Sequence, residues 1–527
     1  MTDRPVIVVG AGPVGMAAAL LLARWGVPTV VCEAKSGRDE VGSRSICVQR
    51  DVLDIYHRVG VADTLMAEGV TWHRGRTFYR DDELFTITFP DAGQSAYPGF
   101  INIGQSSVER VLANAIEVEP RVDLRYSYEA VGVVPGDDSV MVRVDTPAGM
   151  RELTGSHVIA ADGSRSAMRA LLGLDFAGHS FDDLFLIADI RASLAFGTER
   201  RFHFDPVWNP GRQVLVHPQP DSVWRIDWQV PPDYDLDADR ASGGLDARIR
   251  RIAGDAPYDV VWVSLYRFHQ RLASRMLVGR VLLAGDAAHV MAPFGARGLN
   301  SGIQDAENAA WKIAFGRHGW AGPALLSSYE HERRAAAVEN LRVTGRTMRF
   351  LVPQDEREWA HRRDVLARAV TDEAARTQVD SGKLAEPYWY VDSPLTTTPP
   401  GPRVADGASA GQARPPVAGV LCPDGPIAAP DEPGATRLRE LFGRGFCVLT
   451  FGFDLPTVDS RAPHRAYRLD KIDHDGVVTA ALGATSDARW CAVVRPDGHL
   501  AAVLHDPDPA AVTRAIERAS GGPRERR

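Results

Sequence analysis

The stretch that decides the fold is "VIVVGAGPVGMAAALLLARWGVPTVVCEA", residues 6–34 of the chain. Its letters predict an apolar strand, a glycine turn, a helix and a second strand. Gly10, Gly12 and Gly15 satisfy G-x-G-x-x-G. In that pattern the first glycine permits a tight turn, the second lets the backbone approach a pyrophosphate, and the third lets the helix pack on the strand. Glu33 closes the second strand, eighteen residues after Gly15, where a carboxylate accepts hydrogen bonds from ribose hydroxyls, so the stretch predicts a dinucleotide site.

The helix of this stretch opens with Pro13 and Val14, and its first amides carry partial positive charge that favours a phosphate. Two other interpretations fit the same letters: a glycine turn without a ligand and, because residues 6–23 carry no charge, a signal or membrane segment. The glycines that interrupt the run and the missing small-residue cleavage pattern favour the strand–turn–helix interpretation.

Composition is that of a globular protein of two or three domains. The chain has 527 residues, of which 45% are hydrophobic and 24% charged, with a net charge of −8. No basic block stands out, so neither a nucleic acid nor a membrane is predicted as a partner. The five cysteines have no CxxC spacing and are odd in number, which indicates neither a disulfide framework nor a zinc site. We therefore expect a cytoplasmic protein without a metal.

Two later strand ends repeat the arrangement of a strand, an acid beside glycine and a helix. "SHVIAADGSRSAMRALLG", residues 156–173, presents Asp162 and Gly163 after a strand, and "LLAGDAAH" presents Asp286 in the same way. An Asp-Gly turn before an N-capped helix explains the first of these without any ligand. Several strand ends that converge on one extended ligand suit a dinucleotide lying across the carboxyl edge of a sheet.

The order of these three motifs resembles class A flavoprotein monooxygenases with the p-hydroxybenzoate hydroxylase fold, in particular aromatic and polyketide hydroxylases related to 3-(3-hydroxyphenyl)propionate hydroxylase. The resemblance implies an α/β fold: an FAD-binding Rossmann-like domain, a mixed antiparallel substrate sheet and a thioredoxin-like C-terminal domain. It also implies FAD as cofactor and NADPH or NADH as transient reductant. A single G-x-G-x-x-G is consistent with this, since no separate nicotinamide domain is indicated.

The reaction implied by the resemblance is hydroxylation of a phenolic or polyketide-type aromatic substrate by molecular oxygen, through a flavin C4a-hydroperoxide. Baeyer–Villiger oxygenation on the same scaffold stays open, as does a flavin dehydrogenase or oxidase that inserts no oxygen. Fold alone does not decide among these reactions.

The resemblance also implies which residues hold FAD. The first motif and Glu33 take the ADP half. The other implied contacts are Arg44 along the pyrophosphate, Gln105 beside the dinucleotide, Asp162 and Gly163 of the second motif, Asp286 at the ribityl chain, and Pro293, Gly298, Leu299 and Asn300 at the isoalloxazine. A surface arginine and a helix-opening glutamine are the alternatives for the residues at 44 and 105.

The loop before the third motif's helix departs from the resemblance. Helical spacing predicts that the helix begins near Leu299, and its unpaired amides would stabilise negative charge on reduced flavin. The loop reads Gly295-Ala296-Arg297-Gly298, where the family commonly has Gly-Gly-Gln-Gly. We expect Arg297 to point to water, although a guanidinium there would also neutralise reduced flavin or steer a phenolate. His289 stays open between proton transfer and a structural role, so both are weak catalytic candidates and no base is identified.

Residues 181–268 alternate as antiparallel strands do and predict the substrate sheet. Its candidates for an aromatic pocket are Phe204, His217, Trp224 and Trp228, although bulky aromatics on strands also fit a core. The predicted organisation is an FAD-binding domain in two parts at 1–180 and 269–398, this sheet at 181–268, a Pro/Gly-rich linker at 399–435, and a thioredoxin-like domain at 436–527. Without CxxC, that last domain is expected to serve packing or oligomer contact, and a homodimer stays open.

Overall fold

The computed structural model describes residues 4–39, 45–88, 95–397, 414–455, 457–484 and 489–522. The strands of this part of the chain are β1 (Val6–Val9), β2 (Thr29–Glu33), β3 (Cys47–Gln49), β4 (Arg74–Tyr79), β5 (Asp82–Thr88), β6 (Phe100–Asn102), β7 (Val122–Tyr126), β8 (Glu129–Pro135), β9 (Val140–Asp145), β10 (Arg151–Gly155), β11 (His157–Ala160), β12 (Phe176–Ala192), β13 (Arg200–Phe204), β14 (Gln213–Pro218), β15 (Val223–Val230), β16 (Tyr258–Ala273), β17 (Leu277–Val278), β18 (Val281–Leu283), β19 (His289–Val290), β20 (Phe446–Phe451), β21 (His464–Arg468), β22 (Trp490–Val494) and β23 (Leu500–His505).

The helices of the described residues are α1 (Pro13–Arg24), α2 (Arg50–Arg58), α3 (Ala62–Glu68), α4 (Gln105–Glu117), α5 (Ala167–Leu171), α6 (Leu236–Ala241), α7 (Gly244–Ala253), α8 (Arg297–His318), α9 (Ser328–Leu351), α10 (Glu356–Ala369), α11 (Glu373–Arg376), α12 (Leu469–Ile472), α13 (Val477–Leu482) and α14 (Pro509–Ala519). Short 3₁₀ turns lie at Gly285–Ala287 and Leu438–Leu441. None of the described helices combines the length and the apolar character that a membrane crossing requires.

A six-stranded sheet in the order β17-β18-β11-β1-β2-β7 forms the first layer, and all its strands but β17 run parallel. Every residue of β1 is buried, as expected of a parallel sheet covered on both faces. Because β1, β11 and β18 are neighbours, their carboxyl ends lie side by side. The three sequence motifs follow these ends and therefore meet at one edge of the sheet.

The second layer is an eight-stranded mixed sheet in the order β19-β16-β12-β15-β14-β13-β4-β5. Its strands pair antiparallel except β13 and β4, which run parallel. The strands β4 and β5 lie at residues 74–88, inside the predicted first part of the FAD-binding domain, so the sheet is not confined to 181–268. Local periodicity does not show this, because the β4–β13 pairing joins segments more than a hundred residues apart.

The C-terminal part contains a four-stranded sheet in the order β21-β20-β22-β23, with β20 parallel to β21 and the other pairs antiparallel. With α12 and α13 after β21 and α14 at the end, this is the thioredoxin order of strands.

Part of the predicted linker packs tightly against the rest of the protein. Val420 and Cys422 are fully buried, and Arg414 pairs with Asp51 of α2 at 2.7 and 3.0 Å. The structure describes this linker only from residue 414 onward, and residues 399–413 lie outside the described residues.

Candidate active site

One cleft of about 1850 Å³ lies between the carboxyl edge of the six-stranded sheet and one face of the eight-stranded sheet. All three sequence motifs contribute to its wall. The predicted cofactor residues that line it are Gly12, Pro13, Val14, Gln105, Gly163, Asp286, Pro293, Gly298 and Leu299. The structure thus brings these residues together in a single cavity.

The glycines of the first motif fall into two groups. A Cβ atom at Gly12 would meet no protein atom within 4 Å, so its backbone is open to the cleft. At Gly15 the same atom would lie 2.0 Å from the carbonyl oxygen of Gly10, and at Gly10 it would lie 2.5 Å from that of Ala161. Gly10 and Gly15 therefore let β1, α1 and β11 pack closely, while Gly12 faces whatever the cleft holds.

The cleft fits a long ligand with a phosphate group and an electron-rich ring. Open backbone recurs at Gly163 and Gly298, where an added Cβ would also meet nothing within 4 Å. The helices α1 and α8 begin at the cleft, and neither has a capping side chain or an acid in its first turn. Their first amides are therefore available to an anion or a partial negative charge. This cradle of bare backbone and helix N-termini is the donor set that FAD requires.

Two of the predicted cofactor residues support the turns at the cleft through hydrogen bonds, and a third cannot be placed. Glu33 accepts hydrogen bonds from the backbone amides of Ala11 and Lys35 at 2.8 and 3.0 Å, and so fixes the glycine turn. Asp162 accepts from the Ser166 hydroxyl at 2.6 Å and anchors the start of α5. Arg44 lies outside the described residues.

Asn300 lies on the first turn of α8 and ties that turn to β3. Its Oδ1 accepts from the Gln49 amide at 2.9 Å, and its Nδ2 donates to the carbonyl of Cys47 at 3.0 Å. Gln105 opens α4, and its Nε2 donates to Glu109 at 2.8 Å. The helix α8 begins at Arg297, two residues before the expected start.

The expectation that Arg297 points to water is wrong. Its side chain is buried, donates to Asn340 Oδ1 at 2.7 Å and reaches the carbonyl oxygens of Lys383 and Leu384, each at 3.2 Å. Burial lowers the pKa of Arg297 to about 10, so the guanidinium stays charged at neutral pH. Carbonyl groups of segment 383–384 hold the arginine because that segment folds back over the loop, which sequence spacing does not show. Arg297 clamps this segment to α8 and α9.

The loop and this returning segment touch directly at Gly295. Its φ is +86°, and a Cβ there would lie 2.0 Å from the carbonyl oxygen of Lys383. Its carbonyl accepts from the Ala385 amide at 2.9 Å. Only glycine satisfies both the left-handed backbone and the close approach.

His289 lies behind the cleft wall and does not line it. Its ring is 1% exposed, and Nε2 lies 2.7 Å from Asp305 Oδ2. Asp305 also accepts from the Gly285 amide at 2.9 Å and from Arg333 Nε at 2.6 Å. Burial alone raises the pKa of Asp305, but Arg333 and His289 outweigh it, and that pKa lies below its usual value. The contacts fit the structural alternative for His289, which is to hold the turn before Asp286.

Trp224 and Trp228 do not line the cleft, and of the two interpretations left open for them the structure fits the core one. Side chains alternate along a strand, and those at 224, 226 and 228 face away from the cleft, where they pack with Leu245 and Ile249 of α7. Arg225 and Asp227 are their neighbours in sequence and line the cleft. A shift of one residue therefore separates core from site on β15.

The other two pocket candidates lie on the cleft side of the sheet. Phe204 is fully buried under α9 and α10, with its ring 5.8 Å from that of Phe350, and does not reach the cavity. His217 on β14 does line the cleft. The aromatic wall that sequence reasoning missed is made by Phe185 and Phe268, whose rings stack at 4.3 Å, and by Phe294 of the loop.

A group of charged residues on the sheet face was also missed, except for its one histidine, His217. We call it the sheet cluster: Asp189 on β12, Arg200 on β13, His217 on β14, and Arg225 and Asp227 on β15. Arg225 and Asp189 form a bidentate pair at 2.8 and 2.7 Å. A usable signal was present in "VWRIDWQV", where an arginine and an aspartate alternate with tryptophans in an otherwise apolar strand.

Burial governs the ionisation of the sheet cluster. It raises the pKa of Asp227 to about 7, against the lowering effect of Arg225 and Arg200. It lowers the pKa of His217 well below its usual value, and both arginines add to that effect. Near neutral pH, then, His217 is neutral, and Asp227 is present in both its protonated and its ionised form.

Comparison with known proteins places the chain in a family. Residues 3–344 match the family described as FAD binding domain. Over 334 residues the chain is 32% identical to 3-(3-hydroxy-phenyl)propionate/3-hydroxycinnamic acid hydroxylase 2 of Burkholderia vietnamiensis, with 63% of this chain and 60% of the relative covered. The chain thus spans about 60% of the length of the curated relatives that it matches.

Solved structures give the same result over a longer range. The flavin-dependent monooxygenase PieE, determined with FAD and substrate, has a TM-score of 0.82 with 99% of each chain covered and 23% identity, a likeness of fold. The p-nitrophenol 4-monooxygenase PnpA of Pseudomonas putida DLL-E4 has a TM-score of 0.62 and 27% identity over 71% of this chain and 96% of its own. The predicted fold class and resemblance are confirmed. The chain belongs to the FAD binding domain family, and FAD is its cofactor.

Proposed function

We propose that this protein is an FAD-dependent, NAD(P)H-consuming monooxygenase that hydroxylates a phenolic or polyketide-type aromatic substrate. The observation that carries the proposal is that one cleft joins the backbone cradle of the three motifs to an aromatic and charged face of the eight-stranded sheet. A flavin enzyme that acts on an organic substrate requires both parts in contact. The names of its relatives, hydroxylases and monooxygenases of phenolic compounds, support this choice.

Within this proposal the cradle residues hold FAD. The open backbone at Gly12 and the start of α1 receive the pyrophosphate, and Glu33 shares its carboxylate with a ribose hydroxyl. Asp286 and the amides at the start of α8 face the rest of the cofactor. Bound FAD supplies the redox chemistry and the activation of oxygen.

The chain's own residues contribute orientation and exclusion of water. Phe185, Phe268 and Phe294 form the apolar part of the wall, against which an aromatic ring stacks or packs edge to face. Asn300 fixes the first turn of α8, so the partial positive charge of its amides is preorganised rather than created at the moment of reaction. Arg297 holds segment 383–384, which folds back over the loop and forms part of the cleft wall, so that water is kept out there.

The test is turnover under labelled oxygen. We expect the purified protein to show a flavin spectrum and to oxidise NADH or NADPH faster when a phenol from a panel is added. The hydroxylated product should carry one atom from ¹⁸O₂. A ring-expanded ester carrying label would indicate Baeyer–Villiger oxygenation, and product without label would indicate a dehydrogenase or oxidase. Protein that takes up no FAD would contradict the whole assignment.

A further inference from the structure

The carboxylate of Asp227, whose side chain is 19% exposed, stands out because no described residue donates a hydrogen bond to it. No described residue donates to its Oδ1, which is buried, and its Oδ2 lies 3.8 Å from His217 Nε2, longer than a hydrogen bond. Its neighbour Asp189 is saturated by the bidentate contact with Arg225. A carboxylate oxygen that is buried without a donor is costly unless a ligand supplies one.

Asp227 also lies close to the loop at the flavin end of the cleft. The ring of Phe294, in that loop, contacts Phe185 of β12 at 5.9 Å between ring centres. Ile187, two residues further along β12 on the same face, is paired with Asp227 across to β15. Two residues of a strand span about 7 Å, roughly one substituted aromatic ring.

Arg200 makes a second connection between the sheet cluster and the loop. Its guanidinium donates to the carbonyl of Ser381 at 3.4 Å, and the next residues, Gly382 and Lys383, pack on Gly295. Among the described residues no carboxylate lies within salt-bridge distance of Arg200. Partial burial lowers its pKa to about 10, so a half-buried, charged guanidinium faces the cleft near Asp227.

We propose that Asp227 is the base that takes the proton from a phenolic hydroxyl of the substrate, with His217 as a positioning residue and Arg200 as the cation beside the resulting phenolate. The inference rests on the proposed function and names its substrate class: an aromatic ring with a free hydroxyl directed at β14 and β15. The substrate O–H bond breaks and an O–H bond forms on Asp227. The negative charge moves from the carboxylate to the phenolate oxygen, which activates the ring toward an electrophilic oxygen.

The ionisation of the cluster fits this exchange. The charged and titratable groups that face Asp227 are Asp189 on β12, Arg200 on β13, His217 on β14 and Arg225 on β15. Burial raises the pKa of Asp227 to about 7, where a carboxylate is both ionised often enough and basic enough to accept a proton. Arg225 is already neutralised by Asp189, so Arg200 is left to balance the phenolate.

The test measures proton movement as well as turnover, in FAD-loaded protein at pH 8. The probes are 2-naphthol, which is neutral in water at this pH and changes its absorbance on ionisation, and 2-methoxynaphthalene, which has no proton to lose. We expect wild-type protein to bind 2-naphthol as the naphtholate without releasing a proton to the buffer, because Asp227 keeps it. Asp227→Asn, or Asp227→Ser should the first variant not fold, should bind it neutral or release one proton.

Three controls separate this role from general damage. Binding of 2-methoxynaphthalene should change less than twofold in the Asp227 variants. Glu358→Gln removes a carboxylate from α10 that lines the same cleft away from the sheet cluster, and it should keep the wild-type proton balance. His217→Gln should weaken 2-naphthol binding yet keep the internal proton transfer.

On whichever phenol is turned over, Asp227→Asn should lower kcat/KM about 10²-fold or more and remove the rise of rate through pH 7. The proposal is overturned by neutral 2-naphthol in the wild type, by a proton release that is equal in both proteins, or by failure of either probe to bind. Failure of the proposed function has a different signature, which is the absence of labelled product whatever the proton balance.

Discussion

Two groups of charged residues in this molecule differ in whether their carboxylates have hydrogen-bond donors. In the sheet cluster, Asp227 has an oxygen that no described residue satisfies. The second group, which we call the docking cluster, comprises Lys312 of α8, Glu332 of α9, and Arg495 and Asp497 of the turn between β22 and β23. There Glu332 accepts from Arg495 at 2.5 and 2.9 Å and from Lys312 at 2.6 Å. One carboxylate lacks donors and the other is saturated.

The difference shows in their ionisation. Burial alone raises the pKa of Glu332, but Arg495 and Lys312 outweigh it, and that pKa lies well below its usual range. Burial of Asp227 is not outweighed, and its pKa rises to about 7. A saturated buried charge is fixed in one protonation state and holds the C-terminal domain on α8 and α9. An unsaturated one facing a cleft is free to exchange a proton with a ligand.

The largest expected effect comes from opening the docking cluster. Glu332→Gln leaves the buried cation Lys312 without a carboxylate and Arg495 with only that of Asp497, and we expect a loss of about 3–5 kcal/mol of unfolding free energy. Urea unfolding measures the loss, and limited proteolysis should show earlier release of residues beyond 414. The matched control is Glu339→Gln, which removes a half-buried carboxylate of α9 paired with the exposed Arg342 and should cost less than about 1 kcal/mol. Equal small losses in both variants would contradict the comparison.

Asp227→Asn should act in the opposite direction on stability. A carboxyl whose pKa is raised in the fold, from about 3.9 in the unfolded chain, destabilises the protein progressively as pH rises from 4 to 7. The variant should therefore be more stable than wild type by about 1–3 kcal/mol at pH 8 and equal to it at pH 4. Thermal or urea unfolding at both pH values decides this, and a variant less stable at pH 8 would show that Asp227 has a hidden donor.

The cleft-facing backbone offers a test of the cradle. Gly12→Ala places a methyl group in open cleft, where no protein atom lies within 4 Å, so apo-protein stability should hold while FAD binding weakens about tenfold or more. Gly316→Ala on α8 is the control, because its Cβ also meets nothing within 4 Å but lies outside the cleft wall. Fluorescence titration with FAD gives both affinities. Equal affinities would show that Gly12 does not contact the cofactor.

The smallest expected effect is on the far face of β15. Trp228→Phe keeps most of the apolar volume against α7 and loses only an indole N–H that has no hydrogen-bond partner, so it should cost less than about 1.5 kcal/mol. Affinity for 2-naphthol and the steady-state rates should stay within twofold of wild type. A change in ligand preference would instead mean that both faces of β15 contribute to the site.

Much of the cofactor half of the site follows from local sequence. The turn at Gly10–Gly15, the strand end at Glu33 and the acid at Asp286 are short-range patterns, and the structure brings their strands to one sheet edge. The substrate half does not follow in this way. Strand β4 pairs with β13, and β12 with β15, over long distances in sequence, and the alternation of side chains turns Asp227 inward and Trp228 outward. Periodicity shows two faces but not which one is covered by α7.

By itself, then, the sequence determined the dinucleotide turn, because that turn depends on residues near one another along the chain. The order of three such local motifs implied the fold class and the FAD cofactor through a resemblance. The tertiary structure decided which contacts Arg297 and Asp227 make. Arg297 is buried because the segment at 383–385 returns over its loop. Asp227 is left without a donor because Arg225 is already taken by Asp189. Hydrogen-bond partners of buried charges are chosen by packing, and packing joins residues that the sequence holds far apart.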